Sequence, residues 1–175
     1  MVLRWGHRFR DQRVTTHVAL VARAFGASRF LLADVKDDEV KTTVLKIIAN
    51  WGGKFDFLME TPWKKAVKEW RCNGGLIVHL TAYGENIETS GVMDRIRATG
   101  KHILVLVGSQ KVPRDFFSSD VSDFNVAVGN QPHSEVSGLA VFLDRLYAGE
   151  ELRAEFNGAR LRIIPQKHGK KVAKS

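Results

Sequence analysis

Two apolar segments that end in glycine, and a set of arginines near one end of the chain, are the residues with chemistry to offer. Phe124-Asn-Val-Ala-Val128 runs into the turn Gly129-Asn-Gln-Pro132, and Ile103-Leu-Val-Leu-Val107 ends at Gly108. Strands that stop at glycine expose main-chain N–H and C=O groups and let a ligand approach them closely, which suits a small flat cofactor. Plain strand termination is the competing role for Gly108 and Gly129. Arg4, Arg8, Arg10 and Arg13 crowd the first strand and the loop after it, while Lys167, His168, Lys170, Lys171 and Lys174 crowd the last residues. The net charge is +8, and its concentration at both ends points to a nucleic acid partner rather than to a general solubilising charge.

Other chemistries find little support. The six histidines are dispersed, and neither His-Glu-x-x-His nor paired Cys-x-x-Cys occurs, so no metal site is expected. A nucleophile elbow, a phosphate loop and Gly-x-Gly-x-x-Gly are all missing, which counts against a hydrolase and against a nucleotide-dependent enzyme of the doubly wound class. His133, Ser134 and Glu135 form a hydrolase trio only on paper, because adjacent helical side chains do not face one another; a helix N-terminal turn is the better reading. Cys72 is the only cysteine, so no intrachain disulfide forms and a cytoplasmic home is expected. No apolar run approaches the roughly 20 residues of a membrane helix, and no signal-peptide stretch opens the chain.

The elements that must position these residues alternate. Strands are expected at Val2–Trp5, Arg29–Ala33, Phe55–Met59, Leu76–Leu80, Ile103–Val107 and Phe124–Val128. Helices are expected between them: one capped by Thr15 or Thr16, with Val18, Val21, Ala22 and Phe25 inward; one opened by Asp37, Asp38 and Glu39; one capped by Thr61 with Pro62 at its first position; and one from the Thr81-Ala-Tyr-Gly84 loop to about Ala98. A last helix carries Val136, Leu139, Ala140, Leu143 and Tyr147 on one face. The strands are continuously apolar, so the fold class is α/β with a parallel sheet covered by helices on both faces. Leu152–Phe156 and Ala159–Ile164 flank Asn157-Gly158, the preferred type I′ pair, and predict a C-terminal β-hairpin. The basic tail after Pro165 is expected to be flexible until it meets a partner. Trp51, Trp63 and Trp70 fit helical apolar stripes and read as packing residues; Trp5 reads as buried in the sheet.

Several segments resemble one family. Arg8-Phe-Arg-Asp-Gln-Arg-Val-Thr-Thr-His-Val-Ala-Leu-Val-Ala-Arg-Ala-Phe-Gly-Ala27 is similar to the start of the archaeal tRNA (cytidine-56) 2′-O-ribose methyltransferases of the SPOUT superfamily. Leu80-Thr-Ala-Tyr-Gly84, Val105-Leu-Val-Gly-Ser-Gln-Lys-Val-Pro113 and Asn125-Val-Ala-Val-Gly-Asn-Gln-Pro-His-Ser-Glu135 resemble that family's later motifs, and the likeness spans roughly residues 2 to 165. It implies S-adenosylmethionine as methyl donor, a C-terminal trefoil knot, a homodimer, and tRNA as substrate, methylated on the ribose 2′-hydroxyl of cytidine 56 in the TΨC loop. It also implies a methyltransferase domain over residues 1–150, with hairpin and basic tail at 151–175. A non-catalytic α/β RNA-binding module on the same scaffold is the alternative.

The resemblance, together with the glycine turns, assigns cofactor binding to Leu80, Thr81, Tyr83, Gly84, Val107, Gly108, Ser109, Val126, Val128, Gly129 and Pro132. The better-known ribose-methylating relatives carry an asparagine and an arginine ahead of an Ala-Phe-Gly segment. Here Ala24-Phe25-Gly26 is present, but the asparagine is missing and Leu20 stands in the arginine's place. Arg13, Arg8 and Arg23 are therefore the catalytic candidates, with Arg10 as a rival and Arg13 and Arg8 favoured for lying in or beside the loop; their expected duty is to hold phosphate and ribose or to stabilise a developing alkoxide, since arginine is a poor base. Arg23 on the exposed side of the first helix is its bland alternative. His17 is a further acceptor for the proton, with packing near the helix start as its alternative. RNA binding is expected from Arg4, Arg8, Arg10, Arg13, Lys167, Lys170 and Lys171.

Overall fold

The computed structural model describes residues 1–109 and 111–174. Six strands, β1 (Val2–Trp5), β2 (Arg29–Leu32), β3 (Asp56–Met59), β4 (Leu76–Asn86), β5 (Ile103–Gly108) and β6 (Phe124–Ala127), form one sheet in the order β3-β2-β1-β5-β4-β6. Every pairing in it is parallel. Helices α1 (Gln12–Ala24), α2 (Asp38–Trp51), α3 (Trp63–Cys72), α4 (Val92–Ala98) and α5 (Glu135–Tyr147) connect or follow the strands.

Alternation along each strand divides the core in two, because successive side chains leave opposite faces of a sheet. Val2, Phe30, Leu32, Leu76, Val78, Val105 and Val107 pack with buried residues of α1, α2, α4 and α5 on one face. Leu3, Leu31, Ile77, Leu104 and Leu106 pack on the other against Trp63, Ala66 and Val67 of α3, with Phe116 and Val121. The expected sheet covered on both faces is thus observed. Trp63 meets the Phe116 ring edge-on at 4.9 Å, and half-buried Trp5 meets it at 5.7 Å. Trp70 donates its indole N–H to the Leu76 carbonyl at 3.1 Å.

Local capping differs from expectation at two helices. A 3-10 turn, Phe9–Asp11, leads directly into α1 at Gln12, ahead of both threonines. Thr15 is buried inside α1, and its hydroxyl lies 2.8 Å from His7 Nδ1. His7 Nε2 in turn lies 3.0 Å from Asp37 Oδ2, and Asp37 caps α2 by accepting from the N–H groups of Glu39 and Val40. The loop before α1 is therefore tied to the start of α2. Thr61 does not cap α3. Pro62 occupies the cap position, and the Asp34 carboxylate accepts from the Trp63 N–H at 3.0 Å across the sheet edge.

β4 runs past the expected loop to Asn86. Residues 81–84 are an excursion inside it, after which the pairing with β6 resumes at the same β6 residue, so that Val126 opposes both Leu80 and Glu85. A turn then delays α4 to Val92.

The C-terminal hairpin exists, but with other strands. Asn157-Gly158 does turn, with Gly158 at φ 76°. Leu152, however, lies in a 3-10 turn, Glu150–Arg153, and residues 154–156 form no strand. The segment is consumed by the end of α2: the Asn157 carbonyl accepts from Gly53 N–H at 2.8 Å, and Arg160 N–H donates to the Asn50 carbonyl at 2.9 Å. Gly53 suits this turn, since its φ of 88° is strained for any side-chain-bearing residue and a Cβ there would lie 2.5 Å from the Phe156 ring. β7 (Leu161–Ile164) pairs instead with β8 (Lys171–Lys174), antiparallel. The basic tail, expected to be loose, supplies the second strand of the ribbon.

Candidate active site

At the carboxyl ends of β4, β5 and β6 lies a cavity of about 620 Å³. Ligands of open α/β sheets bind in this position, and the volume falls in the roughly 300–1,000 Å³ range of cofactor sites. Of the expected cofactor residues, Leu80, Thr81, Tyr83, Val107, Gly108, Ser109, Val126, Val128 and Pro132 line it. Three segments distant in sequence are brought together because β4 pairs with β5 on one side and β6 on the other. Gln110, inside the same expected loop, lies outside the described residues.

Two expected cofactor residues do not line the cavity. Gly84 packs against β6, where a Cβ would stand 2.5 Å from the main-chain atoms of Asn125 and Val126; its glycine serves strand crossing. Gly129 has φ 70° and no neighbour within 4 Å of an added Cβ; its glycine serves the turn.

The arginines separate into two groups. Arg4 was expected on RNA, yet it is fully buried. It donates from Nη1 to the Gly108 carbonyl and from Nη2 to Glu135 Oε1, both at 2.7 Å, and both acceptors belong to residues of the cavity wall. Arg4 therefore braces the cavity and has no surface to offer a polyanion. Arg23 is buried as well, against the alternative of an exposed helix face. It donates to the carbonyls of Trp51 and Gly52 at the end of α2, and its guanidinium stacks 4.5 Å from the Phe156 ring centre. Its hydrogen bonds all go to main-chain oxygens of residues outside the cavity lining.

Arg8, Arg10 and Arg13 are exposed, as is His17. Arg8 Nε donates to Asp11 Oδ2 at 3.1 Å, and the Ser109 hydroxyl donates to the same oxygen at 3.3 Å. Partial burial pushes the Asp11 carboxyl upward, but the Arg8 guanidinium and the Ser109 hydroxyl outweigh it and hold the carboxyl below its ordinary range. This carboxylate fastens the arginine loop to a residue of the cavity wall. Lys167 and Lys170 sit in the turn between β7 and β8, and Lys171 begins β8; all three are exposed.

Several wall residues were not anticipated. His79 is buried, places Nδ1 2.8 Å from Asn125 Oδ1, and is flanked edge-on by Phe116 and Phe117. Burial pushes its pKa down, which the Asn125 contact only partly opposes. A histidine interrupting the apolar run Leu76–Leu80 was the available signal. Lys111 and Arg114 place positive charge on the wall, and Glu135 is the partner of Arg4. Ser134 caps α5 by accepting from Val136 N–H, so the paper trio is a helix start. His133 clasps the loop, with Nε2 2.6 Å from the Val128 carbonyl. Among the described residues no group of three or more His, Cys, Asp or Glu is placed to hold a metal ion, and no helix is long and apolar enough to cross a membrane.

In fold, the six-stranded parallel sheet with its cavity at residues 80–83, 107–109 and 126–128 is similar to solved SpoU-type methyltransferases. The chain superposes on the SpoU methyltransferase AviRb from Streptomyces viridochromogenes, solved with AdoMet, with a TM-score of 0.60 and 12% identity over 85% of this chain and 56% of that one. It superposes on the A. aeolicus TrmH/SpoU tRNA modifying enzyme with a TM-score of 0.61 and 11% identity, over 87% of this chain and 76% of that one. Within that class the chain belongs to the tRNA ribose 2′-O-methyltransferase family aTrm56, which matches residues 51–173. The tRNA (cytidine(56)-2′-O)-methyltransferase of Thermofilum pendens is 55% identical over 174 residues, 99% of this chain and 94% of the relative. That of Thermococcus kodakarensis is 51% identical over 98% of this chain and 94% of its own length, and that of Methanocaldococcus jannaschii 47% identical over the same shares.

Proposed function

We propose that this protein transfers a methyl group from S-adenosylmethionine to the ribose 2′-hydroxyl of cytidine 56 in the TΨC loop of tRNA. The observation that carries the reading is full-length identity near one half to relatives named for that reaction, joined to a cavity built from the strand ends the motifs mark. The same relatives favour catalysis over the non-catalytic RNA-binding alternative.

The residues present fit the donor. The cavity offers main-chain groups of residues 80–83, 107–109 and 126–128 for the adenosine, and apolar Leu80, Val107, Val112 and Val128 for its flat faces. When bound, S-adenosylmethionine supplies a methyl already activated by its sulfonium, so the protein's task is alignment and charge management. Arg8 and Arg13 have the exposure to grip ribose and phosphate and to stabilise a developing alkoxide; Arg8 is aimed by Asp11. Arg23 is committed to α2 and is the weakest of the three candidates. Arg10, with Lys167, Lys170 and Lys171 on the ribbon, extends the cationic track for the tRNA backbone.

The trefoil knot belongs to this reading. It is supported by the tight fit of Gly84 on the β6 main chain and by Asn130, whose side-chain N–H groups donate to the Ala82 and Gly84 carbonyls while its oxygen accepts from Asn86. The segment after β6 is thereby pinned against the 81–84 excursion and Asn86. A homodimer is supported by the β7–β8 ribbon: two strands alone are marginal in water, and Ile163 and Val172 stand exposed on it. The division at residue 150 and a cytoplasmic location complete the proposal.

The test is incubation with methyl-labelled S-adenosylmethionine and unmodified tRNA transcript, followed by nucleoside analysis. Label on the ribose of cytidine 56 is expected. Label on a base, or none with properly folded protein that binds S-adenosylhomocysteine, overturns the reaction.

A further inference from the structure

We propose that Phe9 is a stacking platform for an unpaired tRNA base beside the reacting nucleotide; the proposal rests on the methyltransferase reading above. Phe9 is 79% exposed, a cost in water that the fold does nothing to relieve. It lies between exposed Arg8 and Arg10, with exposed Arg13 in the first turn of α1.

The ring is carried on a braced segment. Asp11 N–H closes the 3-10 turn onto the Arg8 carbonyl at 2.7 Å. The Asp11 side chain ties that turn to Arg8 and to the Ser109 hydroxyl. Gly6, at φ 77°, brings the start of the loop against Ser109, where an added Cβ would lie 3.4 Å from the serine's own. His7, between Thr15 and Asp37, anchors the loop from below. The main chain that carries the ring is thus held beside Ser109 of the cavity wall before any ligand arrives, which lowers the ordering cost of binding.

The surrounding charge selects the occupant. An unpaired nucleotide presents a π face for the ring and a phosphate for the arginines, the combination by which single-stranded nucleic acid is held. A second copy of this chain, whose proposed contact is at the β7–β8 ribbon, would bring no phosphate to the arginines around the ring. Because Ser109 borders the cavity, the stacked base is a close neighbour of the nucleotide whose ribose is methylated.

The experiment compares wild type, Phe9→Ala, Phe9→Trp and Arg10→Ala in three measurements: tRNA affinity across a salt series, S-adenosylhomocysteine calorimetry, and mass by light scattering. Stacking contributes about 1–3 kcal/mol per base, so Phe9→Ala should weaken tRNA binding roughly 5- to 150-fold. The slope of log K against log salt should not change, because no phosphate contact is lost. Phe9→Trp should restore affinity, and Arg10→Ala should lower the slope by close to one counterion. S-adenosylhomocysteine affinity should be unchanged throughout. Affinity of Phe9→Ala within twofold of wild type overturns the proposal. So does a lowered salt slope in that variant, which would make the ring a mere support for the arginines, or a changed mass, which would place it between copies of the chain. Each of these outcomes leaves the methyltransferase reading intact if wild type still labels cytidine 56; loss of wild-type labelling refutes that reading instead.

Discussion

Removing the Glu135 carboxylate isolates a buried cation, and the consequence can be worked from the geometry. Arg4 has no exposed surface, its Nε has no partner among the described residues, and its two remaining contacts are the Gly108 carbonyl and Glu135. Breaking one side of a buried pair costs about 3–5 kcal/mol, chiefly the stranded charge. The Glu135 side chain is 26% exposed, so water can enter the vacated space, and the lower end, about 3 kcal/mol, applies. Glu135 also opens α5, where a negative charge adds about 0.3–1 kcal/mol. For a chain of 175 residues each kcal/mol moves Tm by about 2–4 °C, so Glu135→Ala should lower Tm by about 6–16 °C. Calorimetric melting checks it. S-adenosylhomocysteine affinity should fall in parallel, because the brace spans two wall residues. The Arg4→Met/Glu135→Leu double variant should melt above Glu135→Ala, since it removes the charge along with its partner. A Tm within about 2 °C of wild type for Glu135→Ala, or a double variant whose loss equals the sum of those of Arg4→Met and Glu135→Leu taken singly, refutes the reasoning.

Gly84→Ala should prevent correct closure of β4 on β6, with loss of S-adenosylhomocysteine binding and a Tm drop larger than that of Gly129→Ala, where only the positive φ is strained; equal melting of the two would count against the crossing. His79 is held neutral by burial, so its folded pKa lies below the unfolded value near 6.5. Below that value the unfolded chain takes up a proton the folded chain refuses, and stability falls as pH drops from 7 to 5. His79→Gln should lose less stability over that interval in denaturant titrations, and parallel curves would assign the acid sensitivity elsewhere. Asp11→Asn should lower turnover with little change in cofactor KM, because Arg8 loses its aim; an effect confined to KM would show that the bridge serves the cofactor alone. Replacing Lys170 and Lys171 by alanine should flatten the salt dependence of tRNA binding, and an unchanged slope would mark the ribbon as remote from RNA.

The order of strands and helices was legible because each rests on short-range rules. Continuous apolar runs between glycines have no stable home except inside a covered parallel sheet, and Ser134 or Asp37 caps the residues right behind it. The cavity wall at 80–83, 107–109 and 126–128 was legible for the same reason, through glycine-ended strands and the motifs around them. Beyond that reach the sequence was silent. Asn157-Gly158 specified a turn, but whether its flanks pair with each other depends on what else claims their main-chain groups, and the end of α2 claims them. The charge on Arg4 read as RNA contact, since nothing local reveals that a carbonyl 104 residues away and a carboxylate 131 residues away converge on it. Arg23 met the same fate with the last carbonyls of α2. A cation's neighbours are set by chain crossings, so only the tertiary structure separated Arg4, which braces the cavity wall, and Arg23, which fastens the end of α2, from Arg8, Arg10 and Arg13, which stay exposed.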